Sequence, residues 1–196
     1  AGTKITTGVQ NTLIGGLAGD ALTDADYNTA LGYLALSSDT LGSTSVAIGA
    51  YSLEAQNFTS ATNAYNVAIG YNTGADVTTG TNNTLIGGLA GDAITTGSAN
   101  TAVGTAALTA NTTANDNVAV GVSALETNTT GASNVAINNN ALLRNTTGSS
   151  NIAIGKESLS YNTTASNNTA VGHQSLFANT TGTGNTAVGK GALDAN

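Results

Sequence analysis

The sequence predicts an all-β fold, a parallel β-solenoid (β-roll) of about eleven 17-residue coils, and three observations carry that expectation. A motif Asn-(Thr/Val/Ile)-(Ala/Leu)-aliphatic-Gly recurs along the whole chain, its residues alternate in character as a strand does, and Gly or Asn closes each copy. The copies begin at Asn11, Asn28, Ser45, Asn66, Asn83, Asn100, Asn117, Asn134, Asn151, Asn168 and Asn185, so the step is 17 residues apart from one step of 21. Residues 1–196 therefore read as a single continuous repeat array with a four-residue insertion in the coil spanning 45–65. Self-similarity at a fixed short period marks a solenoid rather than a globular domain.

With the opening Asn as position 0, position 1 is β-branched in every copy and position 3 is a large aliphatic, as in Thr12 and Ile14 or Ile152 and Ile154. Alternation puts both on one side of a strand. Position 2, which is Ala except at Leu13 and Leu85, falls on the other side. Judged by size, positions 1 and 3 are expected to face the coil interior with the Leu of position 8, such as Leu108, Leu125 and Leu159, leaving a flat Ala file outside. Position 4 is Gly in every copy but one, where it is Asn138, and these two residue types tolerate the left-handed backbone of a corner. Thr at position 12, usually followed by a second Thr as in Thr112-Thr113 and Thr146-Thr147, predicts a second short strand closed by Gly or Ala at position 14.

Strands this short do not stand alone. Stacking identical units ~4.8 Å apart continues the backbone ladder and piles like side chains into files. Asn at position 0, and again at position 11 in Asn111, Asn128, Asn145, Asn162 and Asn179, is expected to form such ladders. Helical repeats need periods of about 33 residues or more, and β-branched strands with Gly corners oppose helix. Eleven coils give a rod of roughly 50 Å at that spacing. The outward Ala file would suit close contact with another copy, so a homo-oligomer, a trimer or an end-to-end filament, is the expected partner.

Composition narrows the function classes. Charged residues make up 8% and the formal net charge is −7, with Lys4, Arg144, Lys156 and Lys190 the only basic residues, so a run of phosphates cannot be neutralised and nucleic acid is not an expected partner. Absence of Cys excludes disulfides and thiolate metal sites, and absence of Pro leaves every backbone N–H free for pairing. No stretch approaches the ~20 apolar residues of a membrane span, so no membrane insertion is expected within this segment. Met is absent even at position 1, and the chain reads as a processed product or a window from something longer.

The units Asn100-Thr-Ala-Val-Gly-Thr-Ala-Ala-Leu, Asn168-Thr-Ala-Val-Gly-His-Gln-Ser-Leu and Asn185-Thr-Ala-Val-Gly-Lys-Gly-Ala-Leu, linked by segments such as Asn128-Thr-Thr-Gly, resemble repeats of phage tail-fibre and related surface-fibre proteins, many of which end in an intramolecular chaperone domain of the endosialidase type. The strand core Ser45-Val-Ala-Ile-Gly is similar to the head repeat of trimeric autotransporter adhesins of the YadA kind. The resemblance covers essentially the whole chain. It implies a left-handed roll, trimeric assembly, an extracellular, cell-surface or virion location and a role in attachment. The 17-residue spacing is longer than the usual adhesin head unit.

Candidate sites are few. His173, the only His, sits at position 5 in a turn, and no convergent set of titratable groups supports catalysis; no catalytic, cofactor or metal residue is assigned. Asp20, Asp24 and Asp26 form the densest acidic patch, but their spacing matches no calcium loop and solvated turns are expected. Aromatics gather around the insertion (Tyr27, Tyr33, Tyr51, Phe58, Tyr65 and Tyr71), where a host-surface glycan or receptor is the expected contact if the insertion forms a binding loop. Glycosylation sequons occur at Asn57, Asn82, Asn111, Asn128, Asn145, Asn162, Asn167 and Asn179. The functional expectation is a non-enzymatic structural fibre segment of a virion tail fibre or cell-surface adhesin. A self-assembling extracellular filament is the alternative. Ice binding is a remote one, because Thr at positions 12 and 13 point to opposite faces.

Overall fold

The computed structural model describes residues 1–195. It contains thirteen short strands and, among the described residues, no helix, hence none long and apolar enough to cross a membrane. In chain order they are β1 (Thr12–Ile14), β2 (Thr29–Leu31), β3 (Gly42–Ser43), β4 (Val46–Ile48), β5 (Thr62–Asn63), β6 (Val67–Ile69), β7 (Thr84–Ile86), β8 (Thr101–Val103), β9 (Val118–Val120), β10 (Val135–Ile137), β11 (Ile152–Ile154), β12 (Thr169–Val171) and β13 (Thr186–Val188). All except β3 and β5 stack as one eleven-stranded parallel sheet, one strand per coil. Register is that of the repeat: Thr12 pairs with Thr29, Leu13 with Ala30 and Ile14 with Leu31, and the pattern holds to Val188. The β-solenoid is therefore present, with each residue lying over its counterpart in the next coil.

The second strand expected at positions 12 and 13 does not form in the regular coils. There the backbone bends, yet it stays tied to its neighbour: the Thr95 N–H donates to Thr112 O at 2.9 Å, and the Thr95 hydroxyl donates to the same oxygen at 3.1 Å. One acceptor thus serves a backbone and a side-chain donor in most coils, which explains Thr at position 12 without a strand. Only around the insertion does a second sheet appear, where β3 pairs with β5.

Turns elsewhere are held the same way. Left-handed backbone recurs at positions 6, 8 and 16, for example Ser123 (φ 55), Leu125 (φ 53) and Asp116 (φ 60). At these positions the N–H is directed along the rod: Ser123 N donates to Thr105 O, Leu125 N to Ala141 O and Asp116 N to Ser98 O, at 3.0 to 3.2 Å. The conformation costs an L-residue about 1–2 kcal/mol. The intercoil bonds it permits satisfy groups that would otherwise be buried unpaired.

The core reverses the expected sides of the strand. The Ala of position 2 is fully buried, as at Ala102, Ala119, Ala136, Ala153 and Ala170, while positions 1 and 3 point outward. Volume explains the correction. A 17-residue coil is thin, and its interior is already occupied by Leu at position 8, Ala or Ser at position 7 and Asn at positions 0 and 11, so only a methyl fits at position 2. Where position 8 is Gly, the space is refilled: a Cβ on Gly19 would stand 2.7 Å from Leu13 and 2.9 Å from Leu22, and one on Gly91 would stand 2.8 Å from Ile94 and 2.9 Å from Leu85. Position 11 follows this exchange throughout, apolar beside Gly (Ile5, Leu22, Val77, Ile94) and polar beside Leu (Asp39, Gln56 and the five Asn from Asn111 to Asn179).

Corners are set by the Gly of position 4. Gly104 has φ +136, and a Cβ there would lie 2.5 Å from Gly121 O in the next coil. Gly104→Ala is expected to lose roughly 2–5 kcal/mol in equilibrium denaturation, from backbone strain and overpacking together. Gly88→Ala, next to a corner but with its nearest neighbour at 4.0 Å, is expected to change stability by less than about 0.5 kcal/mol.

Candidate functional site

The inner asparagines hold the coils together. In the coils from Asn11 to Asn168, that of Ser45 excepted, the position 0 side chain spans the interior, Asn117 Nδ2 donating to Gly131 O at 3.0 Å, while its Oδ1 accepts the backbone N–H of Asn134 in the next coil at 3.0 Å. From Asn111 to Asn179 a second file runs at position 11, in which Asn128 Nδ2 donates to both Asn111 Oδ1 and Gly131 O. Both expected ladders are present. Ser45 is the one break in the first file, and Gln56 bridges it: Gln56 Nε2 donates to Ser45 Oγ and to Asp39 Oδ2, and Gln56 Oε1 accepts from Asn66 Nδ2. Asp39, fully buried, also accepts the N–H groups of Gly42 and Phe58 at 3.0 and 3.1 Å. This buried carboxylate fastens the inserted loop to the rod.

Outside, positions 1 and 3 form two files of Thr, Val, Ile and Leu running the full height of the eleven-stranded sheet. Ile14, Leu31, Ile86, Ile137, Ile152, Ile154 and Val188 are exposed, as are Thr12 and Thr186 in the end coils, and the remaining residues of the two files are half-buried. The aromatics expected at the insertion separate around this face. Tyr33, Tyr51 and Tyr71 form an edge-to-face column on one flank, with ring centroids 5.6 and 5.9 Å apart. Tyr27 and Tyr65, at position 16, stand exposed on the other, and Phe58, within the lengthened coil, is buried.

The sequons divide sharply. Asn111, Asn128, Asn145, Asn162 and Asn179 are buried, and the Nδ2 atom that a glycan would occupy is hydrogen-bonded inside the coil in each. In these five the side-chain amide is committed to the packing of the core. Asn57, Asn82 and Asn167 are exposed. Asp20, Asp24 and Asp26 each reach back one coil, to the hydroxyls of Thr3 and Thr7 and to the Val9 N–H. The Thr3 hydroxyl, 2.7 Å away, holds the Asp20 carboxyl below its usual pKa. No group of three or more His, Asp or Glu side chains placed to hold a metal occurs among the described residues. His173 stands half-buried in the turn after β12. Thr at position 13 is exposed in a single file, as at Thr113, Thr130 and Thr147, whereas Thr at position 12 is half-buried except at the end positions Thr6 and Thr180.

Comparison of the chain with protein-family models, with curated protein sequences and with solved structures finds no match in any of the three.

One acidic group is poorly accommodated. Asp92 Oδ1 is buried without a hydrogen-bond partner, and burial pushes the carboxyl pKa up. The backbone N–H groups of Asp92 and Ala93 lie near enough to oppose the shift, and the charge of Asp76 adds to it. A raised folded-state pKa contributes stability that is complete below the unfolded value of about 4 and is lost as pH rises through the folded value. Asp92→Asn is therefore expected to stabilise the rod at pH 7 and to have no such advantage below pH ~4. Denaturation curves at several pH values check this, and parallel pH dependences of the two proteins would contradict it.

Proposed function

We propose that the chain is a non-enzymatic fibre segment, a left-handed homotrimeric shaft of a virion tail fibre or extracellular cell-surface adhesin that supplies rigid reach and attachment. The observation that carries this reading is the outward aliphatic face. Eleven strands ~4.8 Å apart and about three residues wide give a strip on the order of 500 Å², its position 3 file wholly aliphatic and its position 1 file mixed Thr, Val and Ile, in the upper part of the roughly 300–600 Å² range of the largest patch on a monomer, which is itself often functional. Identical chains have identical rise, so the files of one copy meet those of another in register over the whole rod. Two outward files favour three-fold packing, in which position 1 contacts one neighbour and position 3 the other. The Ala file, buried inside the coil, takes no part in this contact. Stiffness follows from the asparagine ladders and the intercoil backbone bonds, which any bending of the rod must stretch.

Sedimentation is expected to give three times the chain mass of 19.1 kDa. Negative-stain images are expected to show discrete rods about 50 Å long. Replacing Val120 and Ile137 together by Lys is expected to shift the species to monomer while the far-ultraviolet circular dichroism is retained. A wild-type chain sedimenting as a clean monomer would contradict the trimer, and long continuous filaments would favour the self-assembling alternative.

A further inference from the structure

Positions 9 and 10, at the corner opposite the sheet, hold only small or acidic residues through most of the rod: Asp20 and Ala21, Ser37 and Ser38, Asp92 and Ala93, Thr109 and Ala110. Three consecutive coils depart from this, with Leu143, Arg144, Tyr161 and Phe177. The coil closes without large side chains at these positions, so the stacking of the rod does not require them. They converge in space. The Arg144 guanidinium lies 4.3 Å from the centre of the Tyr161 ring, and Tyr161 meets Phe177 edge to face at 4.9 Å. Together with Asn140 and Glu157 they line an open cleft of about 130 Å³.

Charge is distributed across the cleft. The carboxylate of Glu157 accepts from Gln174 Nε2 at 2.8 Å and lies 3.7 Å from Lys156 Nζ, the only salt bridge among the described residues. Arg144 has no carboxylate within salt-bridge distance, in a chain carrying 11 acidic and 4 basic residues. A guanidinium stacked on a ring is fixed in orientation, and its edge N–H groups match a carboxylate in bidentate fashion. Aromatic faces offer an apolar surface to the C–H side of a sugar ring, and Glu157 and Asn140 supply acceptors for its hydroxyls. The volume is close to that of a cavity that holds benzene, ~150 Å³, and so suits one six-membered ring.

We propose that this cleft binds a single acidic monosaccharide unit of a surface glycan, its carboxylate on Arg144, its ring against Tyr161 and Phe177, and a hydroxyl donating to Glu157. The assignment rests on the attachment reading for its use but not for its test. The probes are glucuronic acid and N-acetylneuraminic acid, with neutral glucose as control, titrated into the ¹⁵N-labelled full chain while amide shifts and the Arg144 Nε–H are followed. Saturable shifts confined to the backbone around 143–144, 160–161 and 177 are expected with one or both acids, which identifies the class of acid, and not with glucose. Arg144→Gln is expected to weaken the binding about tenfold or more, the loss of one charge-assisted bidentate contact, and Tyr161→Phe, which keeps the stacked ring, is expected to preserve it. Both variants should keep the wild-type melting temperature and sedimentation. Absence of shifts with both acids, equal shifts with glucose, or undiminished binding by Arg144→Gln would each overturn the assignment. A trimer that binds neither acid would leave the fibre reading intact, and a monomer that binds one would leave the cleft intact.

Discussion

Each coil depends on the one beside it through the amide of the position 0 asparagine, which spends its two polar atoms in perpendicular directions. The Nδ2 group closes the coil across its own width, as in Asn134 to Gly148 O, and the Oδ1 atom accepts the next coil's backbone N–H, as from Asn151. An amide buried in so thin a body must satisfy both ends or destabilise it by about 1–3 kcal/mol per orphaned group. The repeat therefore cannot drift in register: slipping by one residue would leave every interior amide unpaired at once. Parallel three-residue strands, too short to persist alone, inherit their order from this constraint.

The same thinness governs packing. Interior space is enough for one large aliphatic near the corner or for two placed differently, and the chain uses both solutions. Leu108 sits with Ala102 and Asn111; Gly91 sits with Leu85 and Ile94. Because the larger strand residues find no room inside, they stand in files outside, and the result is a rod with an interior of Ala, Leu and hydrogen-bonded Asn and with β-branched and aliphatic side chains along one outer face. That outer face underlies the proposed assembly.

Period, register and both asparagine ladders were legible in the sequence, because exact recurrence of Asn, Gly and aliphatic residues permits little besides like-over-like stacking. Which face of the strand lies inside was not. Alternation separates Ala119 from Val118 and Val120 but carries no sign, and the rule that larger residues go in fails when the cross-section is smaller than the side chain. The reciprocal pairing of positions 8 and 11, Gly with Leu22 or Ile94 and Leu with Asn, held the missing information, since it identifies these two positions as neighbours sharing one volume. The Asn-Thr-Thr triplets carried two readings at once, inner ladder and glycosylation sequon, because both use the same residue. Arg144, Tyr161 and Phe177 break the repeat by size and not by length, so the spacing that marks the insertion does not mark them.

The claim beneath all of this is that residue i lies directly over residue i+17. The chain has no Cys of its own, so paired cysteines report that distance without interference. Thr113 and Thr130 are exposed and one coil apart, and Thr147 is one coil further. At ~4.8 Å per coil the first pair falls within disulfide reach and the second, near 10 Å, does not. Oxidation of the Thr113→Cys, Thr130→Cys chain is predicted to give a complete intrachain disulfide and that of Thr113→Cys, Thr147→Cys none; the opposite result, or equal closure of both, would contradict the stacked solenoid.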